Sequence, residues 1–175
     1  MTKTRCGTTI VGGTMLSAVA LGVPLLWPLP VRLLYNASHS MPRGWYLAGP
    51  PASPAPDHVV LLRLAPDTAV LAAQRGYLPV GVPLLKRIAA VAPQTVCQCK
   101  GQLRIDGVPV GAVRPQDGAH RPLPVWAQCR ALHDGEVFVL GDARALSFDS
   151  RYFGPVDASA LIASAWPLWT WETPS

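Results

Sequence analysis

The sequence predicts a mainly β domain with one short helix, preceded by an N-terminal transmembrane helix. Short apolar runs alternate with proline and glycine over most of the chain, a pattern that is typical of domains built from short strands. At the start, by contrast, no charged residue lies between Arg5 and Arg32, and an apolar gap of that length can cross a bilayer. We therefore divide the chain into an anchor, residues 1–34, and an exported domain, residues 35–175.

The anchor has two interpretations, because a basic start before an apolar run is also typical of a cleaved secretory signal peptide. We favour a retained anchor, since the run is longer than the usual signal-peptide core and its small-x-small site, Ala18-Val19-Ala20, lies inside it. Lys3 and Arg5 then keep residues 1–7 in the cytoplasm, so the exported domain would lie outside the cytoplasmic membrane.

Local patterns assign the elements of the exported domain. The short helix is predicted over Thr68–Arg75, with Asp67 as its N-cap and Gly76 as its stop. Asp106-Gly107 between apolar residues predicts a hairpin turn. Apolar runs predict extended segments at three further places: His58–Leu64, Val80–Val91 and Glu136–Leu140.

The C-terminal segment, Ala160–Trp171, places three tryptophans close together in an apolar context. Such residues most often belong to a core, and we expect the same here. In a membrane-tethered protein, Trp166, Trp169 and Trp171 have an alternative place at the lipid interface.

Charge argues against one class of partner. The net charge is +5, and the 15 basic residues are scattered, with only Lys3, Lys86 and Lys100 as lysines. Because no basic helix or basic-aromatic platform is present, we expect no nucleic-acid binding. A mild attraction to anionic lipid headgroups is easier to reconcile with this distribution.

Three cysteines fall in the exported part, where an oxidising compartment permits one disulfide. We expect Cys129 to pair with Cys97 or Cys99, which leaves one thiol over. The close spacing of Cys97 and Cys99 is also compatible with zinc, but zinc needs further ligands, and His120 and His133 are the nearest candidates. We therefore predict no metal site.

The candidate chemistry begins with a serine and a lysine. Ser40 lies in a polar turn directly after the anchor, and Lys86 interrupts an apolar run in which Leu84 and Ile88 face the same way in a strand. Burial lowers the pKa of an amine, and a neutral amine within reach of Ser40 can take the proton of its hydroxyl. His39 offers a Ser-His alternative, but adjacent side chains rarely point at each other.

A third polar segment, residues 141–154, follows the predicted strand Glu136–Leu140. An Asp149–Arg151 ion pair and the Ser147 hydroxyl are expected to support the lysine, since a carboxylate in full contact with it would raise its pKa. Asp142 is expected to be a turn residue after the strand.

These three segments resemble signature boxes of bacterial type I signal peptidases, in order and in spacing. The matching residues are Ser40-Met41-Pro42, Lys86-Arg87 and GDARALSFDSRYFGPV at 141–156. The short chain and the wording SMPRGWY and QRGYLPVGVPLLKRIAAV resemble the TraF-type maturation proteases of conjugative plasmids. Housekeeping signal peptidases tend to carry Asn or Asp just after Gly-Asp, where this chain has Ala143, Ala145 and Leu146.

The resemblance implies a signal-peptidase-like β-fold and a role for each matching residue. Ser40 would be the nucleophile and Lys86 the general base, with the Ser40 backbone amide and Ser38 as oxyanion donors. A functional carboxylate is also implied, and Asp149 is its best candidate. The supporting residues implied by the match are Ser147, Asp149 and Arg151.

The activity implied is that of a membrane-bound serine endopeptidase without a cofactor. It would span the bacterial inner membrane once, with its catalytic domain in the periplasm, and would cleave membrane-borne precursors. Pilin maturation through a Ser40 acyl-enzyme is expected, with cyclisation as one outcome and with contacts to other conjugation proteins. Two alternatives stay open: a housekeeping signal peptidase, and a non-catalytic, membrane-tethered assembly module of the conjugation apparatus.

Overall fold

The computed structural model describes residues 32–142 and 147–171. Packing divides the chain into two units, residues 1–32 and Leu33–Ser175. The predicted anchor lies outside the described residues up to position 31, and its last three residues belong to a strand that begins at Arg32. The described residues contain no helix with the length and hydropathy of a membrane span.

The described part of the chain is mainly β, as predicted. Its elements in chain order are β1 (Arg32–Asn36), β2 (Gly44–Gly49), β3 (Val59–Leu62), α1 (Pro66–Gln74), β4 (Leu84–Val91), β5 (Thr95–Cys99), β6 (Gln102–Ile105), β7 (Val108–Ala112), β8 (Cys129–Ala131), β9 (Glu136–Leu140), α2 (Ser150–Phe153), β10 (Val156–Asp157) and β11 (Leu161–Thr170). A 3-10 turn, Ala158–Ala160, precedes β11.

Two antiparallel sheets organise these strands. The larger sheet has the order β1-β2-β11-β3-β4-β9-β10, and the smaller has the order β7-β6-β5-β8. Within the larger sheet, β4 lies between β3 and β9, with Val60 opposite Lys86 and Val139 opposite Ile88. A lysine on a strand with partners on both sides therefore sits well inside the fold.

Buried apolar side chains form two clusters around β4. The main core contains Leu84 and Ile88 together with residues of α1, β9 and the smaller sheet, among them Ala72, Leu103 and Phe138. A second cluster consists of Met41, Tyr46, Val59, Leu85 and Ala165. Met41 follows Ser40 directly, so this second cluster fixes one end of the serine turn.

Helix α1 confirms the predicted helix, but its first residue differs. It begins at Pro66 with Ala65 as the N-cap, so the prediction of Asp67 as N-cap is wrong. Proline suits the first helical position because its fixed φ is already helical and its missing N–H would have no partner there. The stop is as predicted, since Gly76 follows the C-cap with a φ of 71°.

The extended segments are found where they were predicted, with shorter bounds in two cases. Strand β3 covers four residues of His58–Leu64, and β4 begins only at Leu84, after Gly81 and Pro83. Strand β9 has the predicted bounds. The predicted hairpin is also confirmed: Asp106 and Gly107 connect β6 to β7 with φ angles of 49° and 82°.

The tryptophans on β11 and directly after it are on the surface, so the expectation that they belong to a core is wrong. Trp166, Trp169 and Trp171 are 50%, 70% and 50% exposed. Strand β3 covers β11 only as far as Ala165, and a register shift follows between Pro167 and Trp169. The end of the strand thus extends past the core, paired with β2 alone among the strands described.

In the smaller sheet, Cys97 of β5 is bonded to Cys129 of β8, and Cys99 is a free, exposed cysteine. His120 and His133 are exposed, and the described residues contain no group of three or more His, Cys, Asp or Glu side chains placed to hold a metal ion.

Candidate active site

One cavity brings together the polar residues that the sequence singled out. It has a volume of about 840 Å³, and its polar lining includes Ser38, Ser40, Lys86 and Ser147. The walls are largely apolar and come from β1, β3, the segment before β4, the start of β4, and the residue after Ser147: Leu34, Leu61, Leu78, Val82, Leu84 and Phe148. A serine and a lysine therefore share a largely apolar cleft, in which charge is poorly solvated.

Lys86 is the buried cation of this cleft. It is 1% exposed, and Leu84 and Ile88, two residues before and after it on β4, are buried as well. Burial is the main cause that lowers the pKa of Lys86 to about 8; the nearby Asp149 carboxylate opposes the shift, and Arg151 adds to it. A substantial fraction of the amine is therefore neutral near pH 8.

The amine of Lys86 is oriented by a neutral partner. Its Nζ donates a hydrogen bond of 2.7 Å to the Oγ of Ser147. A hydroxyl fixes the direction of the amine without adding a negative charge that would raise its pKa. The Ser147 hydroxyl is thus the hydrogen-bond partner of the Lys86 amine, and its supporting role in catalysis stays a prediction.

Asp149 and Arg151 lie behind Ser147 and form a buried, two-pronged ion pair. Arg151 Nε donates to Asp149 Oδ1 and Arg151 Nη2 donates to Oδ2, both at 2.8 Å. Asp149 is 0% exposed and also accepts from the backbone N–H of Gly141 at 3.0 Å. Because its negative charge is held by Arg151, its effect on the pKa of Lys86 is limited.

The same aspartate begins a helix that the sequence analysis did not predict. Asp149 is the N-cap of α2, and its side chain accepts a hydrogen bond from the backbone N–H of Arg151. A one-turn helix is too short to produce a periodic apolar pattern, so the N-cap aspartate was the available signal.

The serine turn after β1 completes the site. Ser40 is half-buried, and its Oγ lies 3.1 Å from the Oγ of Ser38. The carbonyl oxygen of Ser40 accepts a hydrogen bond of 2.8 Å from the backbone N–H of Asp142. A Cβ on Gly141 would lie 2.7 Å from that carbonyl oxygen and 2.2 Å from Ser147 Oγ. Only glycine lets the two segments approach so closely.

Residues 9–170 match the model of one protein family, described as signal peptidase, peptidase S26. The chain belongs to the signal peptidase family. The match spans the serine turn, β4 and the segment that contains Asp149, so the resemblance noted in the sequence is confirmed.

Proteins with names from plasmid transfer are among the relatives of this chain. A plasmid transfer protein TraF of Escherichia coli is 31% identical over 147 residues, which are 78% of this chain and 82% of that protein. A conjugal transfer protein TraF of Agrobacterium tumefaciens (strain 15955) is 36% identical over 117 residues, which are 61% and 65% of the two chains. A crystal structure of a signal peptidase I from Enterococcus faecalis V583 overlays with a TM-score of 0.40 at 22% identity, covering 65% of this chain and 97% of that chain.

Two contributors to this signal peptidase site were missed by sequence reasoning. The carboxylate of Asp142 accepts two hydrogen bonds from the guanidinium of Arg87, whereas the sequence suggested a turn residue only. The pairing of two residues 55 positions apart leaves no trace in a single sequence. Asn36 is the other: it is 7% exposed and hydrogen-bonded to the serine turn on several sides.

Two further features singled out in the sequence are His39 and the residues that follow the Gly-Asp pair. His39 lines the cavity but is exposed. Ala143, Ala145 and Leu146, whose identity separated this chain from housekeeping enzymes in the sequence, lie outside the described residues.

Proposed function

We propose that this chain is a membrane-anchored serine endopeptidase with a Ser40/Lys86 dyad, which matures pilin precursors of a conjugation system. Family membership supports the peptidase part, and the names of the TraF relatives support the link to conjugation. The observation that carries the proposal is the Lys86 amine, which is 1% exposed, has its pKa lowered to about 8 and opens to the cavity that Ser40 lines.

The first half of the reaction forms an acyl-enzyme. Neutral Lys86 takes the proton of Ser40 as the Oγ attacks the scissile carbonyl carbon. The resulting oxyanion would accept hydrogen bonds from the Ser40 backbone N–H and from the hydroxyl of Ser38, whose Oγ is 3.1 Å from that of Ser40. The Lys86 ammonium then gives its proton to the leaving amine as the peptide bond breaks.

The second half resolves the ester on Ser40. Attack by water gives a linear product, and attack by the amino terminus of the same substrate gives a cyclic one. In both cases Lys86 first takes a proton from the attacking group and then returns it to Ser40 Oγ. Ser147 orients the Lys86 amine through their hydrogen bond of 2.7 Å. The Asp149–Arg151 pair in turn holds Ser147 in place, because Arg151 donates to the carbonyl oxygen of Ser147 at 3.4 Å.

The proposed location is the inner membrane, with the catalytic domain on the periplasmic side, and surface aromatics support the contact with a bilayer. Tyr35, Trp45, Trp166, Trp169 and Trp171, the aromatic surface, are 39–70% exposed and lie on or next to β1, β2 and β11. Ring centroids of Tyr35 and Trp45 are 5.1 Å apart, so part of this surface is continuous. Amphipathic rings favour the headgroup layer of a bilayer, and β1 begins within the last three residues of the proposed anchor.

Brominated lipids test this placement in proteoliposomes of the full chain, because bromine quenches nearby tryptophan fluorescence. We expect Trp169→Phe to remove quenchable signal. The matched control is Trp126→Phe, since Trp126 packs against the main core, with its ring centroid 5.4 Å from that of Phe138. Equal loss of quenchable signal in both variants would exclude the lipid contact.

Alanine variants test the dyad in cells that lack the wild-type copy. Ser40→Ala and Lys86→Ala are expected to leave the precursor unprocessed. The matched controls are Ser159→Ala and Lys100→Ala, which change an exposed serine and an exposed lysine and should leave processing intact. Continued maturation by either dyad variant would favour the non-catalytic assembly module over the peptidase.

The choice of substrate is tested separately. Mass spectrometry of the candidate pilin from cells with and without the protein separates maturation from no maturation, and a cyclic product lacks one water relative to the linear chain. Rescue of a strain depleted of its general signal peptidase would instead favour the housekeeping function.

A further inference from the structure

Asn36 is the centre of the hydrogen bonds that shape the serine turn. Its Nδ2 faces three carbonyl oxygens, those of Ser38, Met41 and Pro42, at 3.1–3.2 Å. Its Oδ1 accepts from the backbone N–H of Ser38 at 3.1 Å and from the Ser38 hydroxyl at 2.8 Å. One buried side chain therefore binds the turn both before and after Ser40.

These partners determine which terminal atom of the Asn36 side chain is the nitrogen and which is the oxygen. Three carbonyl oxygens require a donor, and a backbone N–H requires an acceptor, so the side chain of Asn36 has one orientation that satisfies them all. The Ser38 hydroxyl proton must then lie on the bond to Asn36 Oδ1, since that oxygen carries no hydrogen.

The direction of the next bond follows. Ser38 has a single hydroxyl proton, so in the contact of 3.1 Å between the two serine oxygens Ser40 is the donor. In the resting site the protons thus run from Ser40 to Ser38 to Asn36. Lys86, meanwhile, donates to Ser147.

We propose that Asn36 is a positioning residue of the active site, which holds Ser38 ready to turn its hydroxyl from Asn36 to the substrate oxyanion. The inference rests on the proposed peptidase function. When Ser40 Oγ attacks, its proton goes to Lys86 and the Ser38 hydroxyl loses its donor. Ser38 then donates to the new oxyanion, and Asn36 Oδ1 keeps the Ser38 backbone N–H as a partner, so no buried acceptor is left unpaired.

The test is a double-mutant cycle on the full chain in detergent, with burst release of nitrophenolate from a peptide nitrophenyl ester as the acylation rate. We expect Asn36→Ala to slow acylation by roughly 10- to 100-fold, less than the roughly 100- to 1000-fold cost of removing an oxyanion donor outright, because the Ser38 hydroxyl is still present. In a Ser38→Ala background the same change should cost less than about threefold, because its effect acts through Ser38. Losses that multiply independently would overturn the inference.

Two further variants separate positioning from general loosening. Tyr46→Phe removes the other donor to the Pro42 carbonyl, a bond of 2.7 Å, without touching Ser38, and should acylate nearly as fast as wild type. Asn36→Asp keeps the acceptor toward Ser38 and loses the amide donors. It should acylate faster than Asn36→Ala, and an equal or lower rate would contradict the inference even if Asn36→Ala folds poorly.

The pH profile gives an independent readout. The midpoint of acylation should stay near that of wild type in Asn36→Ala, while the plateau rate falls, because Asn36 contacts the serine turn and not the lysine. A shifted midpoint would mean that Lys86 had lost its burial, which is the signature of a merely structural role. If the wild-type burst persists in Ser40→Ala, the peptidase proposal itself fails, and that result is distinct from all the others.

Discussion

The amine of Lys86 donates to the hydroxyl of Ser147 at 2.7 Å, in a part of the domain where both residues are buried. Among the described residues of this segment, Asp149 is the one fully buried carboxylate near Lys86. Arg151 binds both of its oxygens at 2.8 Å. The hydroxyl thus orients the Lys86 amine without placing a carboxylate in direct contact with it, so burial is the main influence on its pKa and lowers it.

Ser147→Ala removes this orientation without filling or charging the cleft. We expect kcat for precursor cleavage to fall by roughly 10- to 100-fold with little change in KM, because a misdirected base costs transition-state stabilisation. Steady-state kinetics on a purified precursor measure both. Ser164→Ala is the matched control, since Ser164 is also a buried serine and accepts a hydrogen bond from the Ala52 N–H at 2.9 Å. A comparable loss in both variants would argue against a specific role.

The acylation rate of wild type should rise with pH through about 8, because the neutral form of Lys86 is the proposed base. Asp149→Asn removes a charge that raises this pKa and leaves Arg151, which lowers it, unbalanced. We therefore expect the midpoint to move to lower pH, as measured by single-turnover acylation.

The same Asp149→Asn variant should be less stable by about 3–5 kcal/mol, the usual cost of breaking a buried ion pair by removing the charge of one member. Denaturant unfolding at pH 7 measures this. A midpoint that moves upward, or an unchanged stability, would contradict the electrostatic arrangement described here.

Lys86→Met should abolish activity and stabilise the fold near neutral pH. The pKa of Lys86 is about 8 in the folded protein, against 10.5 as its ordinary value. Between these values the unfolded chain binds more protons, so the stability of wild type rises with pH across this window and is reduced by about 3 kcal/mol below it.

Methionine has no proton to bind, and it fills a similar volume. We expect Lys86→Met to gain roughly 1–3 kcal/mol at pH 7 and to lose the rise between pH 8 and 10. Urea unfolding at several pH values tests this, with Lys100→Met at an exposed lysine as the control. A variant that is less stable than wild type at pH 7 would mean that the charged amine is well accommodated.

The Arg87–Asp142 ion pair is expected to serve the serine turn more than the fold. Its side chains are 33% and 9% exposed, and the backbone N–H of Asp142 donates to the carbonyl oxygen of Ser40 at 2.8 Å. Arg87→Gln should lower kcat several-fold while costing no more than about 1 kcal/mol of stability.

A second ion pair provides the control for Arg87→Gln. Arg130 and Glu136 form a similarly exposed pair, at 29% and 23%, between β8 and β9. Arg130→Gln should show the same small loss of stability and no change in kcat. Equal kinetic effects in the two variants would rule out a specific link to Ser40.

Gly141→Ala should inactivate the site through steric contact. The added Cβ would lie 2.2 Å from Ser147 Oγ and 2.7 Å from the Ser40 carbonyl oxygen, too close for either group to stay in place. We expect a loss of activity of more than about 100-fold, as expected when reacting groups are displaced by an ångström. Gly111→Ala, on β7, meets nothing within 4 Å and should behave as wild type in the same assay.

The elements that the sequence predicts most accurately are those whose conformation is decided by local chemistry. The Asp106-Gly107 turn, the stop at Gly76 and the bounds of β9 depend on backbone conformations and side-chain periods that neighbouring residues set. The prediction is less accurate at Pro66, where the proline preference for the first helical turn outweighed the capping preference of Asp67.

The tryptophans of β11 illustrate what a pattern of hydrophobicity leaves open. An apolar strand is expected to bury its side chains. Whether it packs against the protein core or faces a membrane surface depends on which neighbouring strands pair with it. The pairing of β11 with β3 ends at Ala165, and the exposure of Trp166 and Trp169 follows from that end point.

The sequence by itself determined the family, the mainly β fold and the identity of a serine, a lysine and a supporting Asp-Arg segment, because these are written as residue types in fixed order. The tertiary structure decided how deeply Lys86 is buried, that its partner is Ser147, and that Asn36 and Asp142 hold the serine turn. The physical reason is that burial and hydrogen-bond direction depend on groups distant along the chain, whose approach is set by packing of the whole sheet.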